Sequence, residues 1–133
     1  MLPSRDQATI CFAHVAYQLE ERFTRRKTGV ASFQVRSFED LQRRIAEADV
    51  LVISGLWRDD LVERAARLRF IQSIGAGTDQ FGRAALEQRG IRLASARGVN
   101  AQAVAEHAMA LILALRGGCR RPATISRSGS GAE

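Results

Sequence analysis

The sequence predicts an α/β domain of the flavodoxin-like class, a five-stranded parallel sheet ordered 2-1-3-4-5 with helices on both faces. Three observations predict it. Short apolar runs alternate with amphipathic segments along most of the chain. Two of those runs, Ala8–Ala13 and Asp49–Ser54, are nearly continuous in apolar residues, as strands buried on both faces require. The stretch from Phe70 to Arg116 reads as strand, glycine turn, helix, strand, polar turn, helix.

Ala8–Ala13 is the first predicted strand, with His14 at its end. Tyr17–Arg26 reads as a helix, because Leu19 and Phe23 recur at i, i+4 and Gly29 follows as a stop. Ala31–Arg36 alternates weakly and suits an edge strand. Ser37 is a predicted cap for the next helix, with Glu39 and Asp40 at its positive end and Leu41, Ile45 and Ala48 as its apolar stripe. Asp49–Ser54 is the expected central strand, and Gly55-Leu56-Trp57 leaves its carboxyl end. Asp59–Ala66 is a short predicted helix, and the fourth strand runs through Phe70 and Ile71.

Gly75-Ala76-Gly77-Thr78-Asp79 closes that strand and is the leading candidate site. Amides on a tight turn ahead of a helix attract anions, helped by the helix dipole. Glycine permits positive φ and close approach of a ligand. The ordinary reading of the same residues is a plain strand-to-helix connection. Asp79–Arg89 is the following predicted helix, with Phe81, Ala85 and Leu86 on one side and Gly90 past its end. Ile91–Ser95 is the fifth strand, and Asn100 is a predicted cap for the last helix. That helix is apolar nearly all round from Ala108 to Leu115, so it implies a partner surface: a homo-oligomer, or aggregation of the isolated chain. Gly117-Gly118 and Pro122 end it, and residues 117–133 are Gly/Ser/Arg-rich and expected to be disordered. The predicted organisation is therefore one domain, residues 1–116, followed by a tail.

Bulk properties narrow the function. The 133 residues are 46% hydrophobic and 26% charged, which suits one globular domain. The net charge is +6, but the arginines are spread over several predicted helices without interleaved aromatics, so no nucleic-acid partner is expected. Cys11 and Cys119 lack metal-ligand or disulfide spacing and suit a reducing, cytoplasmic setting. The N-terminus has no signal-peptide core, and Ala108–Leu115 is too short to span a bilayer, so no membrane partner is expected. Glu106 and His107 are neighbours on a helix and point about 100° apart, so they do not form an acid/base pair.

Several pieces, in order, carry a family resemblance: Leu68-Arg69-Phe70-Ile71-Gln72, Gly75-Ala76-Gly77-Thr78-Asp79, Arg89-Gly90-Ile91, and Gly98-Val99-Asn100 with Val104-Ala105-Glu106-His107. Together they resemble the substrate domain of the D-isomer-specific 2-hydroxyacid dehydrogenases, closely over residues 68–115 and loosely over 7–67. The resemblance implies NAD- or NADP-dependent exchange of a hydride with the C2 of a small 2-hydroxy or 2-keto acid. It implies that main-chain amides at Ala76 and Gly77 hold the substrate carboxylate, with Asn100 nearby. Gly75, Trp57 and His14 are possible lining residues. It places the catalytic arginine, glutamate and histidine, and the cofactor-binding domain, downstream of this chain, which looks truncated and is expected to be inactive alone. Gly75-Ala76-Gly77 begins a dinucleotide fingerprint, but Gln80 stands where its third glycine belongs. The alternative is a stand-alone flavodoxin-like module that captures small carboxylates or docks a partner.

Overall fold

The computed structural model describes residues 1–117, which divide into two compact units, Met1–Val99 and a second beginning at Asn100. The expected tail, residues 118–133 with Cys119, lies outside the described residues.

The first unit is a five-stranded parallel sheet in the order β2-β1-β3-β4-β5, as the sequence predicts. Its strands are β1 (Thr9–Ala13), β2 (Ala31–Val35), β3 (Val50–Ile53), β4 (Phe70–Ser73) and β5 (Arg92–Ser95). Its helices are α1 (Leu19–Thr24), α2 (Phe38–Arg44), α3 (Leu61–Arg64) and α4 (Arg83–Gln88), with a 3-10 turn at Ile45–Glu47. The second unit carries α5 (Ala101–Arg116).

Register puts one apolar row across the sheet: Phe33, Cys11, Leu51, Ile71 and Leu93 are successive partners. Cys11, Leu51 and Ile71 are fully buried, in one cluster with Leu41 and Ile45, Leu61 of α3 and Leu86 of α4. Burying a side chain of this size stabilises by roughly 1.5–3 kcal/mol, so this row and its helices form the core. The predicted stripe Leu41, Ile45 and Ala48 is fully buried within it. The opposite sheet face differs from expectation. Phe12 packs on Phe23 of α1 with ring centroids 5.3 Å apart, but Val50 and Val52 are only half-buried. The continuous apolar run of β3 is thus covered on one face and half-covered on the other.

Ser37 caps α2 as predicted, its Oγ accepting from the Asp40 amide at 3.1 Å. Three helices are shorter than expected. The first covers six residues, α3 is a single turn, and α4 begins at Arg83 rather than Asp79. At the amino edge Asp49 is buried; its carboxylate accepts from the Thr9 amide at 2.9 Å and pairs with Arg67 at 2.7 Å. That contact ties the starts of β1 and β3 together, far from the carboxyl edge.

Candidate functional site

Parallel strands bring their carboxyl ends to one edge, the usual location of ligands in open α/β sheets. Here that edge carries His14 after β1, Gly55 and Trp57 after β3, the glycine turn after β4, and Ala96-Arg97 after β5.

The turn is shaped from beneath by Ser73, the last residue of β4, which is buried to 1% exposure. Its hydroxyl lies 3.3 Å from the carbonyl oxygens of both Gly75 and Gly77 and donates its one proton between them. The Gly75 carbonyl also accepts from the Ala96 amide at 3.1 Å, which locks the turn to β5. All peptides in the described chain are trans, so each N–H points opposite its own carbonyl. Holding the Gly75 and Gly77 carbonyls inward therefore turns the Ala76 and Thr78 N–H groups outward. Among the described residues, the amides of Ala76, Gly77 and Thr78 donate to no protein acceptor. Three successive amides without a protein acceptor on an exposed turn are donors open to a ligand.

The turn differs from expectation in two respects. Gly75 and Gly77 do not adopt positive φ; the glycines that do are Gly29, Gly55, Gly90 and Gly98. Close approach is what remains for Gly77, where an added Cβ would meet only Asp79 Oδ2, at 3.8 Å. The helix dipole also drops out, because residues 79–82 form a turn and the helix starts only at Arg83. The cause is Asp59, 23 residues earlier in the chain. Its Oδ1 accepts from the Gly82 amide at 2.8 Å and from Trp57 Nε1 at 2.9 Å. A Cβ on Gly82 would lie 2.5 Å from Asp59 Oδ2, so only glycine allows this approach.

The lining candidates separate. Trp57 is buried, packs on Phe81 with centroids 5.4 Å apart, and uses its N–H on Asp59, so it braces the turn from within. His14 is half-buried and stacks on Tyr17 with centroids 4.2 Å apart. Its Nδ1 accepts from the Ala16 and Tyr17 amides at 3.0 and 2.8 Å, so in the neutral ring Nε2 carries the proton. Neither His14 nor Trp57 lines the cavity that includes Ala76. Asn100 opens the second unit, and its side chain makes no cap bond; its carbonyl accepts from the Val104 amide at 3.0 Å instead. Ser73 and Asp59 carry no signal in the sequence, since each acts through a contact that no spacing rule encodes.

The residues after β4 do not fit a nicotinamide dinucleotide. The third glycine is absent, no helix opens at Gly77 to receive a pyrophosphate, and the end of β5 offers Ser95 and Arg97 in place of a ribose-binding acid.

The sheet order and the turn at its carboxyl edge define a flavodoxin-like α/β domain. The profile of the D-isomer specific 2-hydroxyacid dehydrogenase catalytic domain matches residues 11–130, and the chain belongs to that family. It is 40% identical over 74 residues to erythronate-4-phosphate dehydrogenase of Idiomarina loihiensis, covering 54% of this chain and 19% of that enzyme. It is 36% identical over 81 residues to the enzyme of the same name from Shewanella amazonensis, covering 59% and 22%. The chain thus spans about a fifth of the length of these curated relatives. Among solved structures it resembles the Staphylococcus aureus NAD-dependent formate dehydrogenase in complex with NAD, with TM-score 0.63, 22% identity, and coverage of 83% of this chain and 39% of that one. It also resembles the Aquifex aeolicus D-lactate dehydrogenase complexed with NAD and lactic acid, with TM-score 0.63, 18% identity, and coverage of 80% and 33%. At these identities the structural likeness establishes the fold.

Proposed function

We propose that this chain is the acid-binding domain of an NAD(P)-dependent 2-hydroxyacid dehydrogenase, and that its glycine turn receives the substrate carboxylate. The observation that carries the reading is the set of free amides at Ala76, Gly77 and Thr78, two of them aimed outward by the carbonyls that Ser73 holds. Three N–H donors suit a carboxylate, whose two oxygens offer about four acceptor sites. Fixing the carboxylate fixes the C2 beside it. Such positioning can supply roughly 7–11 kcal/mol of a barrier once the reaction partner is held as well.

Nicotinamide supplies the hydride chemistry when bound. The residues after β4 do not suit it, which supports a reading in which the cofactor, the acid and the base are held elsewhere in the enzyme. The chain's own contribution is capture and orientation of the acid. In α5, Met109, Leu111, Ile112 and Leu113 are each more than half exposed, which supports a reading in which this helix meets another protein surface, a second copy included.

A chimera tests the function. Residues 1–116 replace the corresponding segment of a complete 2-hydroxyacid dehydrogenase, and NADH oxidation is followed with glyoxylate, pyruvate and hydroxypyruvate. Oxidation with at least one acid is expected. Gly77→Val should remove it with the fold intact, since a Cβ there clashes with nothing in the protein. A folded chimera that binds NADH but reduces none of the acids, or one indifferent to Gly77→Val, contradicts the proposal.

A further inference from the structure

β5 is an edge of the sheet, and among the described residues it pairs only with β4. In an extended strand the N–H and C=O of one residue point to the same side, and those of the next residue to the other. The amides of Arg92 and Ala96 donate toward β4, to the Arg69 carbonyl at 3.0 Å and the Gly75 carbonyl at 3.1 Å. Leu93 and Ser95 therefore direct their N–H and C=O groups away from the sheet. That is a row of donors and acceptors on which a further strand can pair.

Charge decides which strand. Arg92 lies on one face of the edge, its guanidinium 6.0 Å from the centroid of the Phe70 ring. On the other face Arg83 and Arg97 line a cavity of about 520 Å³ between α4 and β5. Arg83 Nη2 donates to Thr78 Oγ1 at 3.0 Å, which holds it at the carboxyl end of the groove. Among the described residues the ion pairs use Arg25, Arg43, Arg44 and Arg67, so Arg83, Arg92 and Arg97 are without a carboxylate partner. Glu87 is the one acidic residue lining the cavity. A second copy of β5 would bring the same arginines against one another, and like charges facing across strands are destabilising. A strand carrying acidic residues meets the opposite sign. The cavity's apolar wall, buried Leu86 and Ile91 with half-buried Leu93, offers a seat for one of its side chains.

We propose that the β5 edge docks an extended acidic segment of a partner protein, which adds to the sheet as a sixth strand. Main-chain bonds to Leu93 and Ser95 supply affinity, and the side chains supply selectivity. An apolar residue of the segment enters the cavity against Leu86 and Leu93. Its acidic neighbours pair with Arg92 on one face and with Arg83 and Arg97 on the other. The docking surface does not rest on the carboxylate reading of the glycine turn.

NMR and amide hydrogen exchange of the 133-residue chain at low, constant ionic strength test the surface. The probe is an acetylated, amidated peptide of about seven residues, with valine at its centre and glutamate and threonine around it. It should bind saturably, shift the Leu93 and Ser95 amides and protect them from exchange. A counterpart with lysine in place of each glutamate should bind roughly tenfold more weakly. The double variant R92E/R97E, altered only at exposed positions, should reverse that order. N-methylating alternate residues of the acidic peptide removes the donors on one of its sides at a time. One methylation frame should abolish binding and the other should spare it. Equal effects of the two frames would mean attraction by charge without strand pairing, and would overturn the proposal. So would an acidic peptide that leaves Leu93 and Ser95 unmoved. Protection of these two amides that grows with protein concentration and needs no peptide would assign the edge to a second copy, and overturns it as well.

Discussion

Ser73 shows how much of the site rests on one small side chain. A buried hydroxyl bridging two carbonyls is costly to remove, because the Gly77 carbonyl loses its donor and the Gly75 carbonyl keeps only the Ala96 amide. Ser73→Ala should lower stability by about 1–3 kcal/mol in urea denaturation and weaken glyoxylate binding, because the Ala76 and Thr78 amides are no longer held outward. Unchanged stability and binding would show that the turn keeps its shape without the hydroxyl. Nothing in the sequence marks this serine. Apolar runs announce strands, and glycines announce turns, but a hydrogen bond from beneath a turn has no periodicity. The glycine pair is legible as a turn, whereas positive φ belongs to other glycines.

At the scale of elements, the strands were legible and the helix ends were not. All five strands lie where the sequence predicts them, β1 and β3 as apolar runs with few other ways to be buried and β2 as a weakly alternating edge strand. The helix after the turn starts four residues late, since Asp59 and Trp57, distant in sequence, hold Gly82 in place of a local cap. The two predicted caps make the contrast measurable. Ser37 makes its bond to the Asp40 amide and Asn100 makes none. Ser37→Ala should cost about 1 kcal/mol in thermal or urea unfolding, with Ser37→Asp restoring most of it. Asn100→Ala should leave stability within experimental error. Equal losses at both positions would mean that the Asn100 side chain caps its helix in solution.

For the molecule as a whole, the core sets a limit on alkaline stability. Burial pushes the Cys11 thiol from its ordinary 9.0 up to about 12. The folded state therefore holds this proton more tightly than the unfolded chain does. Its contribution to stability is complete below pH 9.0 and is lost as pH rises from there toward about 12. Urea midpoints should fall more steeply from pH 8 to pH 10 in the natural protein than in Cys11→Ala, which starts lower because of the cavity but lacks the titrating group. Parallel slopes would show that Cys11 ionises in the folded state as it does in the unfolded chain. No described helix is long and apolar enough to cross a membrane.

The central claim is that the glycine turn captures a carboxylate, and residue-resolved NMR of the 133-residue chain, titrated with glyoxylate at constant ionic strength, tests it most directly. The amides of Ala76, Gly77 and Thr78 should shift together along one saturating curve, and Gly77→Val should abolish the curve while the remaining spectrum stays that of a folded protein. Saturable binding that shifts other surfaces and leaves these three amides unmoved would contradict it.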